Sequence, residues 1–298
     1  MNDRTRKLLD ELNQETGVSF SVDDSEDNAG LAKVLTKLIR TYRGESDPGF
    51  FLKKLLLGEL SREEIEEKSV VYHFDKEATW CVFLMSFKAP YEPYMLRMIS
   101  SLYIPGADHT VEMDPTHLVL VRELKKGKTR ESLRKMAETL VDMLGSEAMI
   151  SVKISYDQTI EDFTRLPESY RNVCRADAIG RLFLEDRSVY GYHELGTGKL
   201  IYSLPREVCQ EFLDDHLGGF DLRDLDPETR NTIRVFFDSG LSLAETARAL
   251  YIHRNTLGYR IEKIEKQTGL DIRRFEDAMV MKLALMISDF LGDGLAST

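Results

Sequence analysis

The sequence predicts an α+β protein, in which a mixed α/β domain is followed by an all-α C-terminal domain. The nearly continuous apolar run Thr79–Phe87 is typical of a strand buried at the centre of a sheet. Strand and helix patterns alternate up to about residue 204, whereas helical spacing alone follows residue 227. A length of 298 residues agrees with about two domains.

Composition favours a globular protein without membrane spans. Charged residues make up 31% of the chain, and the apolar runs are much shorter than the ~20 residues that a membrane span needs. The first residues, MNDRTRKLLDELNQ, are charged and amphipathic, unlike a secretory signal. We therefore expect a cytoplasmic protein. The net charge of −11 argues against a protein that coats nucleic acids non-specifically.

The cysteines indicate reduced thiols rather than a metal site. Cys81, Cys174 and Cys209 are widely spaced and form no CxxC pair. We expect them to be mostly buried, and we predict neither a metal nor a cofactor.

Residues 1–68 are predicted to be mainly helical. A first helix is indicated by Leu8, Leu9 and Leu12, and Phe50–Leu60 forms a later one. Between them GVSFSVDD, residues 17–24, is predicted as a short strand or extended turn. A further helical stripe consists of Leu31, Val34, Leu35, Leu38 and Ile39.

Residues 69–217 are predicted to form the α/β domain. Its elements are a strand at Thr79–Phe87, a helix at Pro93–Leu102, two strands around Asp114-Pro115, a helix at Thr129–Leu144 and a strand at Met149–Tyr156. This β-α-β-β-α-β order matches a ferredoxin-like or cyclase-like sheet. A helical region from Ile160 to about Glu185 and a last strand at Lys199–Ser203 are predicted to follow.

The C-terminal domain is predicted to span residues 227–298, after a linker at 218–226. Asp226-Pro227-Glu228 opens a helix that runs to about Asp238, and Ser239-Gly240 ends it. The last helix is predicted at Ala278–Leu291.

Residues 242–270 predict a helix-turn-helix. Ser242 is a good N-cap, and Glu245 has the spacing of a capping box. Apolar residues of the first helix share one face, and Gly269 ends the second helix. The buried stripes are Leu243, Ala247 and Leu250 in the first helix, and Leu257, Ile261, Ile264 and Thr268 in the second.

The opposite face of the second helix carries residues suited to DNA. Arg254, Asn255 and Thr256 lie in its first turn, the part that usually meets base edges. Arginine pairs with guanine and asparagine with adenine through two hydrogen bonds each. His253 either donates to a phosphate or caps the helix. The full predicted set is Ser242, Thr246, His253, Arg254, Asn255, Thr256, Tyr259, Arg260 and Lys263, the last three as phosphate or sugar contacts.

Local charge agrees with this interpretation. The segment from Arg248 to Arg274 contains seven basic and three acidic residues. Its net charge of +4 is opposite in sign to the net charge of the whole chain, as is typical of a DNA-binding surface. The alternative is an ordinary helical hairpin with a solvated face. For Tyr259, packing remains as good an explanation as DNA contact.

Residues 228–291 resemble the C-terminal DNA-binding domain of the PucR/CdaR family of bacterial transcriptional regulators. The resemblance rests on HRNTLGYRIEKIEKQTGLDI, His253–Ile272, followed by FEDAMVMKLALMI, Phe275–Ile287. It implies binding to double-stranded promoter DNA, usually as a homodimer. It also implies that the central domain is a degenerate relative of the diguanylate cyclase domain.

Two other functions are considered for the central domain. Nucleotide cyclases carry a GG[DE]EF signature on the central hairpin, but here the tip reads Glu112-Met113-Asp114-Pro115-Thr116-His117, without the glycines. We therefore predict that the protein is not an enzyme. A second hypothesis makes it a ligand-sensing or protein-interaction module, in which a small-molecule effector controls the protein. Only about 70 residues precede the central domain, too few for the large sensors of better-known members, so their effectors are not carried over.

Overall fold

The computed structural model describes residues 3–16, 20–21, 30–32, 34–36, 38, 47–75, 78–101, 108–124 and 130–293. They fall into two compact units. The first comprises Met1–Asp177 with Asp186–Glu194, and the second Ala178–Glu185 with Leu195–Thr298. None of the described helices is long and apolar enough to cross a membrane.

A five-stranded sheet in the order β2-β3-β1-β4-β5 organises the first unit. Strand β1 pairs antiparallel with β3 and with β4, while β4 pairs parallel with β5. The strands are β1 (Thr79–Phe87), β2 (Asp108–Asp114), β3 (His117–Leu124), β4 (Val152–Tyr156) and β5 (Val189–Gly191). The order of the first four confirms the ferredoxin-like prediction.

Helices cover both faces of this sheet. After helix α1 (Asp3–Thr16), the chain forms the covering helices α2 (Pro48–Leu57), α3 (Arg62–Val71), α4 (Pro93–Ser101), α5 (Arg130–Ala148) and α6 (Leu166–Phe183). The last turns of α6 belong to the second unit. Trp80 and Leu84 of β1 pack in a core with residues of α2, whereas Phe83 and Met85 face a core with α4 and α5. Successive side chains of β1 point to opposite faces of the sheet, and both faces are covered, so all nine residues of β1 are buried.

The N-terminal predictions are tested only in part. Leu9 and Leu12 of α1 are buried and cluster with Leu35. Ile39 and most of the stretch 17–24 lie outside the described residues.

In the described part of the second unit, the regular elements are helices and short 3-10 turns. Its helices are α7 (Thr197–Tyr202), α8 (Arg206–Leu217), α9 (Pro227–Asp238), α10 (Leu243–Ala249), α11 (Arg254–Thr268) and α12 (Phe275–Asp293). Within segment 218–226, for which we predicted a linker, Leu222 and Leu225 are buried in one core with Ile233 and Phe236. The segment therefore packs into this unit, which begins before the predicted boundary at residue 227.

Two short elements differ from the sequence prediction. Lys199–Ser203 is not a strand, since Thr197–Tyr202 is helix α7. There Ile201 is buried while Leu200 is exposed, and a short apolar run cannot distinguish one helical turn from a strand. Strand β5 was not predicted, because three residues are too few to show a period.

Candidate nucleic-acid interface

Helices α10 and α11 form the helix-turn-helix that the sequence predicts. The chain turns through residues 250–253 between them. Ala247 of α10 and Leu257, Ile261 and Ile264 of α11 are buried in the core of the second unit, together with Phe236 of α9. The predicted stripe is confirmed, and it fixes which face of α11 is turned outward.

Side-chain and backbone caps define both ends of these helices. The Ser242 hydroxyl accepts from the Glu245 backbone N–H at 3.3 Å, but the Glu245 carboxylate pairs with Arg248 instead of closing the predicted capping box. His253 Nδ1 accepts from the Asn255 backbone N–H at 3.2 Å, so the ring caps α11. Gly269, with φ of +77°, ends α11 as predicted.

The outward surface at the start of α11 consists of Arg254, Asn255, Thr256 and Tyr259, and we call it the reading face. All four residues are exposed, Tyr259 by 74%. Within the described part of the chain, no ion pair or side-chain hydrogen bond occupies Arg254 or Asn255. The high exposure of Tyr259 disfavours the packing role left open by the sequence. These side chains are thus available to a partner.

Arg260 and Lys263 are held by acidic residues at the start of α9. The Arg260 guanidinium pairs with Glu228 and donates to the Thr232 hydroxyl at 3.3 Å. The Lys263 ammonium lies 2.8 Å from the Asp226 carboxylate. Exposed pairs of this kind contribute little stability. Their positive charges are already paired with carboxylates, unlike the charge of Arg254.

One predicted residue must be corrected. Thr246 is completely buried, and its hydroxyl donates to the Ser242 carbonyl at 2.7 Å. It lies on the inner face of α10 and cannot meet DNA, so we remove it from the set. Ser242 is half-buried, and its hydroxyl already serves as the N-cap.

Asp226 is expected to make the stability of the second unit depend on pH. Hydrogen bonds from Lys263 and from Thr229 hold the pKa of the Asp226 carboxyl well below its usual range. Because the folded pKa is lowered, this stabilisation is present above the unfolded pKa of about 3.9 and is lost as the pH falls toward the folded value. Urea midpoints of the wild type and Asp226→Asn should differ slightly at neutral pH, because an exposed pair contributes little stability, and should converge in acid. An identical gap at every pH would contradict the assignment.

The central hairpin uses its acidic groups internally. At the β2–β3 tip, Asp114 accepts hydrogen bonds from the backbone N–H and hydroxyl of Thr116 and contacts the His117 ring at 2.9 Å. The Glu112 carboxylate accepts from the Tyr91 hydroxyl at 3.4 Å. These contacts explain both acids as structural parts of the hairpin.

The cysteines are positioned as expected. Cys81 and Cys209 are buried and Cys174 is partly buried. Burial raises the pKa of each thiol, which disfavours the reactive thiolate.

Comparison with known proteins agrees with this geometry. Residues 229–287 match the PucR C-terminal helix-turn-helix domain. The carbohydrate diacid regulator of Escherichia coli (strain K12) is 26% identical over 159 residues, covering 53% of this chain and 41% of its own. The purine catabolism regulatory protein of Bacillus subtilis (strain 168) is 24% identical over 203 residues, covering 68% and 35%.

A crystal structure of a regulator of polyketide synthase expression from Bifidobacterium adolescentis is 17% identical. It aligns with a TM-score of 0.37, covering 95% of this chain and 98% of that one.

The second unit therefore contains a helix-turn-helix domain of the PucR type, at residues 229–287. The chain is similar to regulators of the PucR/CdaR family. It spans about two fifths of the length of the two curated relatives.

Proposed function

We propose that this protein is a sequence-specific DNA-binding transcriptional regulator. The reading face carries this proposal, because it presents Arg254 and Asn255 at the capped start of α11, both exposed and without side-chain partners among the described residues. The first turn of a recognition helix is the part that reaches base edges in the major groove. The guanidinium and the amide are the groups that read guanine and adenine.

Affinity for DNA is proposed to depend strongly on salt, since phosphate contacts release counterions. Arg260 and Lys263 are the nearby cations for such contacts. Phosphates would compete there with Glu228 and Asp226, which hold the two cations in the free protein. While no DNA is bound, these ion pairs hold the two cations in position.

A homodimer is the proposed active form, acting in the cytoplasm on a double-stranded promoter site. Two copies would place their α11 helices about one DNA turn apart, on a palindrome with half-sites centred roughly 34–36 Å apart. Selection of fragments from a genomic DNA library by the purified protein tests this. Recovery of one palindromic motif is expected. Fragments without a shared motif would overturn the proposal.

Gly258→Ala is expected to stabilise the fold while weakening DNA binding. Gly258 lies in α11 beside the reading face, and a Cβ there would meet no atom of the described residues within 4 Å beyond its own helix backbone. Alanine in a helix interior is favoured over glycine by about 1 kcal/mol, so the melting temperature should rise. The added methyl group would obstruct a closely approaching DNA surface, and fluorescence anisotropy should show several-fold weaker binding.

Gly145→Ala is the matched control for this substitution. Gly145 lies in α5, and a Cβ there would likewise meet no neighbouring atom within 4 Å in the part of the chain that the structure describes. It should give a similar rise in melting temperature with unchanged DNA affinity. Unchanged affinity in Gly258→Ala as well would refute close approach at this point of α11.

A further inference from the structure

We infer that Tyr251, in the turn of the helix-turn-helix, is a contact to the DNA backbone. The inference rests on the proposed function and adds a residue outside the predicted set. Tyr251 lies between Leu250 and Ile252, which both pack against the core of the second unit. Its own side chain is turned the other way and is 96% exposed.

The backbone at Tyr251 is strained for a tyrosine. Its φ is +56°, in the left-handed region that favours glycine. The Tyr251 N–H donates to the Arg248 carbonyl at 3.1 Å, and the Ile252 N–H to the Ala247 carbonyl at 3.0 Å. These bonds end α10, and glycine is the usual residue at this position. A tyrosine here gives the fold neither buried surface nor a favourable backbone conformation.

The position of Tyr251 relative to α11 indicates what the side chain contacts. Only Ile252 and the cap His253 separate it from Arg254, the first residue of the reading face. A strand whose bases meet Arg254 and Asn255 brings its sugar-phosphate backbone past the turn. Tyrosine hydroxyls donate to phosphate oxygens, and such contacts set orientation without reading sequence. Tyr251 is therefore assigned to a phosphate and its adjoining sugar.

The test measures anisotropy with the full chain, using both a duplex recovered by genomic selection and a random duplex of equal length. Tyr251→Phe, which lacks the hydroxyl, should lower affinity about tenfold, as expected for a hydrogen bond to a charged group. Tyr251→Gly should lower it at least as much, and by similar factors on both duplexes. Because tyrosine is uncharged, the salt dependence should keep its slope.

Met149→Gly is the matched control. Met149 also has a positive φ, +54°, and is 93% exposed, but it follows α5 in the first unit. Both glycine variants should raise the melting temperature by relieving backbone strain, yet only Tyr251→Gly should lose affinity. A change of less than twofold in Tyr251→Gly would overturn the inference, and a loss confined to the selected duplex would reassign Tyr251 to base reading. Failure of the wild type to bind any duplex would overturn the proposed function itself.

Discussion

Arg254→Ala is expected to weaken binding to the selected DNA site by about 1–3 kcal/mol and to relax the base preference at one step. Arg254 is exposed and unpaired in the described structure, so its removal disturbs no contact within the fold. Its guanidinium can form two hydrogen bonds to a guanine edge, and both are lost with the side chain. Binding to random DNA should fall much less.

Anisotropy titrations with the selected duplex and with single-base variants measure this effect. Lys266→Ala is the control, because it removes the same charge from an exposed position of α11. Twelve residues separate the two positions, about 18 Å along a helix. Lys266→Ala should leave base preference intact. Equal weakening of all sequences by Arg254→Ala would show that Arg254 contacts a phosphate.

Phe236→Ala is expected to destabilise the second unit by about 3–5 kcal/mol. Phe236 is completely buried and belongs to the core that includes Leu257 and Ile261 of α11. Truncation removes apolar burial and leaves a cavity that the surrounding helices fill only partly. The loss of stability is expected to reduce DNA binding as well, because the core sets the orientation of α11.

Calorimetry or urea denaturation of the full chain measures the change in stability. Phe275→Ala provides the matched control, since Phe275 is the same residue type but is 68% exposed at the start of α12. Truncation of the Phe275 side chain should change the free energy of unfolding by less than about 0.5 kcal/mol. A loss in Phe236→Ala as small as the one expected for Phe275→Ala would mean that Phe236 does not form part of the core.

Features encoded locally could be predicted from the sequence. Ser242, His253 and Gly269 act at the helix ends through neighbours within a few residues, and their capping roles agree with the structure. The buried stripe of α11 was predicted because fifteen residues show a helical period clearly. The strand Thr79–Phe87 was predicted because its apolar run is nearly continuous.

Features that depend on distant or short segments could not be predicted. The partners of Arg260 and Lys263 lie 32 and 37 residues away, and only the packed helices bring them together. Thr246, by contrast, lies three residues after Leu243 and four before Leu250, so the predicted stripe of α10 already placed it on the buried face, and only its polar side chain favoured a DNA contact. Tyr251 was missed because a left-handed backbone conformation at a tyrosine leaves no mark in the sequence.

Methylation interference on the selected duplex tests most directly whether α11 reads the major groove. Dimethyl sulfate methylates guanine N7, which faces the major groove, and adenine N3, which faces the minor groove. We expect methylation of a guanine N7 in each half-site to block the wild type, and Arg254→Ala to lose sensitivity at that guanine. Interference at adenine N3 alone, or none within the half-sites, would contradict the placement of α11 in the major groove.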